Sequence, residues 1–333
     1  RRLNEEIMAN GHAGDWKGIL CFMEKNWRDF SAVNWATAFA RLTKLRKDRR
    51  VIREDATFIK LVAGFELKIQ REGLEWMGAR QIGSMVHSFG WMGVNSPVLY
   101  DWVEKIAVGI TEEGDPQSVA NIPYVFAKIG EKRTGFFKAL DSERAAGKLT
   151  REGSPQNISN TIWSFAILGH KANVLPLFIN REDVMEKLMI AGAPQDISRT
   201  VWALATLGHD ARAAVDFINR VDVAENIARN GTPDEIANTM WAMATLGYEA
   251  TTLAKMIDHV HVAGKIVRDG TPQNIANTFW AMATLGYDAK VLASVIDREE
   301  VAKKLMEDGN ALNISAIIWA MKKQGYDAKY WRQ

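Results

Sequence analysis

The chain has 333 residues, 47% hydrophobic and 25% charged, the make-up of an ordinary folded protein. A formal net charge of +2 is too small to build a strong field over the whole surface, so a polyanion would have to be held by local groups. One cysteine, Cys21, excludes a disulfide framework and a thiolate metal cluster and favours a reducing compartment, and no uncharged apolar stretch reaches the length of a membrane span.

In chain order, the first residues are Arg1-Arg2 with no initiator Met, as a removed targeting peptide or a truncation would leave them. A faint helical pattern, AVNWATAFARLTKL, occupies 32–45. It runs into a dense basic cluster of Arg41, Lys44, Arg46, Lys47, Arg49, Arg50 and Arg53, in which Asp48 is the sole acid. Such a cluster suits nucleic-acid phosphates, and equally a solvated helix end or a docking patch for another protein. A second faint copy, QIGSMVHSFGWMG, spans 81–93, and a third, PQSVANIPYVFAKIG, starts at Pro116, where Pro123 is expected to interrupt the helix.

From Pro155 the pattern becomes strict. Blocks start at Pro155, Pro194, Pro233, Pro272 and Ala311, each 39 residues after the last, and Trp163, Trp202, Trp241, Trp280 and Trp319 recur in step. The blocks at 233 and 272, PDEIANTMWAMATLGY and PQNIANTFWAMATLGY, share 13 of 16 residues. A unit of this size cannot bury its apolar face alone, and stacked neighbours can, which makes the chain a solenoid. Each unit reads as three helical pieces. Thr271 caps the first with Pro272 at its first position, and Gly286 ends it. A short piece covers 289–296. Asp297 with Glu300 reads as a capping box for the third, as do Asn180 with Asp183, Asn219 with Asp222 and, loosely, Asp258 with His261. The array predicted is all-α, with divergent repeats over 1–114 and a regular array over 115–333 whose units start near 116, 155, 194, 233, 272 and 311.

On a helical wheel Ile275, Ala276, Phe279, Trp280, Met282 and Ala283 form an apolar arc, opposite Asn274, Asn277, Ala281 and Thr284. The Trp row therefore reads as packing between units, with base stacking as the alternative. The opposite face is small and amide-rich where a plain solvated face would carry Lys and Glu. Stacked in register it presents two rows: Ser118, Asn157, Asp196, Glu235, Asn274 and Asn313, then Asn121, Asn160, Arg199, Asn238, Asn277 and Ala316. These could hydrogen-bond RNA, hold a peptide, or cap neighbouring turns. His259 and His261, two apart on a predicted helix, are expected to point to different faces. Glycine-rich phosphate loops, nucleophile–base sets and metal-ligand spacings are missing, so the expectation is a protein that is no enzyme and takes no cofactor or metal.

PQNIANTFWAMATLG at 272–286 and PQDISRTVWALATLG at 194–208 resemble the characteristic helix of the octotricopeptide repeat family: Pro-Gln, an apolar residue, Ala-Asn, then a Leu-Trp-Ala-Leu-Ala-x-Leu-Gly run. The resemblance covers roughly residues 115–330. The Pro-Pro-x-Glu-Trp segment often seen in that family has no counterpart here; YDAKVLASVID at 287–297 stands in its place. What the resemblance implies is a right-handed α-solenoid in the soluble interior of a plastid or mitochondrion, binding single-stranded organellar RNA in transcript stability, processing or translation. Asn121, Asn157, Asn160, Asp196, Arg199, Glu235, Asn238, Asn274, Asn277 and Asn313 would face that RNA, and the Arg41–Arg53 cluster would add phosphate contacts. The alternative is a protein-binding scaffold or accessory subunit of a large organellar complex, which neutral repeats and the missing segment favour.

Overall fold

In the computed structural model, which describes residues 2–331, the chain is all-α, with 24 α-helices and no strand among the described residues. None of these helices is long and apolar enough to cross a membrane. Residues 1–157 and 158–333 form two compact units.

In the second unit the full 39-residue repeats fold as three helical pieces, the third of the 194–232 repeat passing from Val221–Glu225 into a π-helical turn at Asn226–Asn230. Pro233–Leu246, Thr251–Ile257 and Val260–Asp269 form one repeat, and Pro272–Thr284, Lys290–Ile296 and Glu299–Asp308 the next. Local chemistry sets the boundaries. The Thr271 hydroxyl accepts the Asn274 N–H at 3.2 Å, and Pro272 occupies the first turn, where a missing N–H costs nothing. Gly247 closes Pro233–Leu246 at φ 72°, a left-handed cap that a side chain would strain. The first helices of successive repeats stack directly: Pro194–Thr206 on Pro233–Leu246, then Pro272–Thr284, then Ala311–Lys323. Behind them, the third helix of one repeat packs on the second helix of the next, as Val260–Asp269 does on Lys290–Ile296.

Flanked on both sides and from behind, a first helix is buried almost all round. In Pro272–Thr284 the side chains of Asn274, Ile275, Ala276, Thr278, Phe279, Ala281, Met282 and Ala283 are buried. Fully burying an aromatic such as Phe279 is worth roughly 1.5–3 kcal/mol. What stays open is one narrow stripe, Gln273, Asn277, Trp280 and Thr284. Ala281, expected on the open face, is buried because a small residue is what lets the neighbouring helix approach.

The repeats are also tied by hydrogen bonds that reach forward one unit. Asn219, Asp258 and Asp297 do not cap their own third helices; those N-caps fall one residue later, on Arg220, His259 and Arg298. Their side chains serve the next repeat instead. Asp258 accepts the N–H groups of Val291 and Leu292 at 2.9 and 3.0 Å, and Asn219 accepts that of Thr252 and donates to the Glu249 carbonyl at 3.0 Å. Asn180 likewise donates to the carbonyl of Asp210. The free N–H groups that open a short helix are thereby satisfied from the repeat before it. Gly270 marks a close approach: a Cβ there would collide with the Ile266 carbonyl oxygen and meet Pro233 of the same repeat at 3.1 Å.

The first unit uses the same layering with drifted sequences. Arg2–His12, Ala32–Lys44, Ala79–Met92 and Pro116–Ile129 stack in chain order, and Trp16–Asn26, Ala56–Glu72 and Pro97–Lys105 stack as a second layer. Its core is aromatic: Phe39 meets Phe89 edge-on at 5.0 Å between ring centres, and Trp35 lies 5.2 Å from Phe65. Pro123 does not break its helix, which runs from Pro116 to Ile129. Ile122, Pro123 and Phe126 are buried where that helix packs on Ala79–Met92, and the packing outweighs the lost backbone hydrogen bond.

Candidate nucleic-acid interface

The two rows of polar residues have different fates. The first sits at the third position of each first helix and is spent on capping. Asn157, Asp196, Glu235, Asn274 and Asn313 accept the N-cap N–H groups of Ser154, Ala193, Thr232, Thr271 and Asn310 at 3.1, 3.1, 2.8, 3.0 and 3.3 Å. Asp196 and Asn274 are buried, and each also bonds a neighbouring repeat: Asp196 accepts the Ser159 hydroxyl at 2.8 Å and Asn274 donates to Asp234 at 3.1 Å. This row holds helices together, and of its members Asn313 also lines a groove.

The second row lies on the open stripe. Asn121, Asn160, Arg199, Asn238 and Asn277 are all half-buried. The side chains of Asn121 and Asn277 make no hydrogen bond to any described residue, while that of Asn238 donates to Asp234 at 3.1 Å. Arg199 differs from its neighbours: it donates to the side-chain Oδ1 of Asn160 at 2.6 Å and places its guanidinium 5.3 Å from the Trp163 ring centre.

The repeated indoles were expected between units, and here the structure corrects the reading. Trp163, Trp202, Trp241 and Trp280 are half-buried, and Trp319 is 42% exposed. They stand one turn beyond the amides on the same stripe, while the preceding residues Ile162, Val201, Met240 and Phe279 fill the core. Trp241, Gln273, Asn277, Trp280, Leu312 and Asn313 line a groove of about 330 Å³ between successive first helices. Helices packed at roughly 8–10 Å set the interval between such rings. The arrangement can sandwich flat rings against indole faces and give each an amide to hydrogen-bond.

The stripe is equally present in the first unit, as Val33, Thr37, Ala40 and Lys44 on one helix and Arg80, Ser84, His87 and Trp91 on the next. It divides the basic cluster. Lys44, Arg46 and Arg49 line a groove of about 400 Å³ with His87 and Trp91, and Arg41, Lys44 and Arg80 line an adjoining one of about 440 Å³. Arg49 donates to the Thr43 carbonyl at 2.8 Å and stands 5.5 Å from the Trp91 ring centre, and Arg41 packs against the Met8 sulfur. Lys47 and Arg53 line neither groove, and Arg50 pairs with Glu54 at 3.1 Å on the exposed side of its helix. Burial and the nearby Arg46 hold Arg49 below its ordinary value; burial and Arg49 do the same to His87, leaving it neutral at pH 7.

Arg80, His87 and Trp91 complete a site that the basic run alone did not reveal. The signal was available, because His87 falls in the Trp position of its repeat. His259 and His261, expected to diverge, have ring centres 5.3 Å apart, since His259 caps the helix from outside. No group of three His, Cys, Asp or Glu side chains that could hold a metal occurs among the described residues. Compared with known proteins, the chain matches no protein-family model and no curated sequence.

Proposed function

We propose that this protein is a binding protein, not an enzyme, and that it holds single-stranded RNA along the open stripes of its first helices. The observation that carries this reading is the row of partly exposed indoles, repeated every 39 residues beside a row that holds Asn160, Arg199, Asn238 and Asn277. Aromatic faces suit any base and amides can read base edges, the combination used where single strands are bound. Lys44, Arg46 and Arg49 in the first unit, with Arg199 and, 4.8 Å from the Trp319 ring centre, Lys323 in the second, supply phosphate contacts. The likeness to octotricopeptide repeats supports a right-handed α-solenoid and a place in a plastid or mitochondrion, acting in transcript stability, processing or translation. A protein ligand is the second reading, favoured where the stripe is apolar, at Ile167 (44% exposed) and Leu312 (80%).

Fluorescence anisotropy with a labelled pool of short single-stranded RNAs tests the proposal. Binding should weaken with salt at a slope of about −0.7 per phosphate contacted, and replacing both Trp241 and Trp280 by Ala should cost roughly 1–3 kcal/mol per lost stack. Affinity that never rises above background at low salt, or that ignores both substitutions, overturns it.

A further inference from the structure

The cations gathered beside Trp91 exceed what an internal phosphodiester calls for. The two grooves of the first unit share Ala40 and Lys44, so they form one trough. Its walls carry Arg41, Lys44, Arg46, Arg49 and Arg80, and no carboxylate lines either groove. Other arginines on this protein stand beside acids: Arg50 by Glu54, Arg144 by Glu112, Arg220 by Asp222 and Arg268 by Asp269. Arg80 has Asp115 near it, but Lys44, Arg46 and Arg49 share a groove with no acid in its wall, and like charges held so oppose folding unless an anion offsets them. One diester brings a single negative charge. A terminal phosphomonoester brings about 1.5–2, with three strong acceptor oxygens. At the end of the trough Trp91 is 45% exposed, and His87 lies 6.1 Å from it between ring centres, so an aromatic wall adjoins the cations.

We propose that this trough receives the phosphorylated end of an RNA strand, the phosphate on Lys44, Arg46 and Arg49 and the terminal base against Trp91. The proposal rests on the RNA-binding reading and adds to it a recognised end. Arginine forks and a lysine suit a dianion with several acceptor oxygens better than a diester with two. A neutral His87 can donate one further hydrogen bond to such an oxygen.

The test uses the whole chain and one short RNA in three forms: with a 5′ phosphate, with a 3′ phosphate, and with neither. One phosphorylated form should bind roughly 10- to 100-fold tighter than the bare strand, the worth of one or two charge-assisted hydrogen bonds. Which form it is identifies the end. Replacing Lys44 and Arg46 by Ala, both exposed positions whose loss leaves the core untouched, should remove the difference between the forms. Trp280→Ala should weaken all three alike. Inorganic pyrophosphate should compete with the favoured form. Equal affinity for the three forms, or a preference that survives the Lys44 and Arg46 substitutions, overturns the end site and leaves the RNA reading standing. Failure of every form to bind removes the RNA reading itself.

Discussion

Phe279 and Trp280 are adjacent in sequence and opposite in role. Phe279 is fully buried, whereas Trp280 lines the groove beside Asn277. Phe279→Ala should therefore cost roughly 3–5 kcal/mol of stability. Trp280→Ala should cost about 1 kcal/mol and show its main effect in RNA affinity. Denaturant unfolding and anisotropy on the same two variants measure both, and equal destabilisation would return the indole to the core. Hydropathy alone cannot separate these residues, because both fall within one apolar arc and an indole is as hydrophobic as a ligand platform needs to be. The polar side shows the same limit. Asn274 and Asn277 are the same residue type on neighbouring rows, yet one completes a cap at the helix start and the other has no partner among the described residues. The position of Asn274 three residues after Thr271 was the available clue, and it points to capping before it points to a ligand.

Helix boundaries were readable because they rest on local chemistry: Pro at the first turn, a hydroxyl or amide before it, Gly after it. The forward-reaching caps were not, because their partners lie about 30 residues away and the period repeats donor and acceptor together. Asp258 makes them testable. Burial holds its carboxyl above the ordinary value of 3.8, against the opposing pull of the Leu292 and Val291 N–H groups. A raised folded value means the protonated form is favoured on folding, so this contribution is present at low pH and lost as pH rises through the folded value. At neutral pH the ionised side chain is thus a liability that Asn avoids while keeping an acceptor, as Asn219 does for the Thr252 N–H. Asp258→Asn should raise the melting temperature at neutral pH. The gain should shrink on acidification through the raised folded value, above 3.8, where the folded wild-type carboxyl takes up its proton. A variant that melts lower at neutral pH would show that the negative charge, and not only the acceptor, holds the cap.

The repeat period was the most readable property of the chain, and it carries a consequence beyond any single contact. If a repeat bonds only to its neighbours, stability is a sum of repeat and interface contributions, and a whole period can be removed in phase. Deleting residues 233–271 joins Thr232 to Pro272, which restores a capped first helix. It also brings Asn219 to the start of Lys290–Ile296, where Asp258 stood, because Val291 is 39 residues beyond Thr252. Pro272–Thr284 then meets Pro194–Thr206 through the same rows of small residues, Ala276 and Ala281 taking the places of Ala237 and Ala242. The shortened protein should fold cooperatively, with lower stability, and should protect a shorter RNA segment because one indole and one amide are gone. Deleting 233–252 instead leaves half a repeat, residues 253–271 of the back layer without their first helix, and should give an aggregating chain. Circular dichroism melts and nuclease footprints on the two deletions separate these outcomes. An in-phase deletion that fails to fold would mean that coupling extends past nearest neighbours, and with it the premise that each groove between first helices acts as its own register for a base.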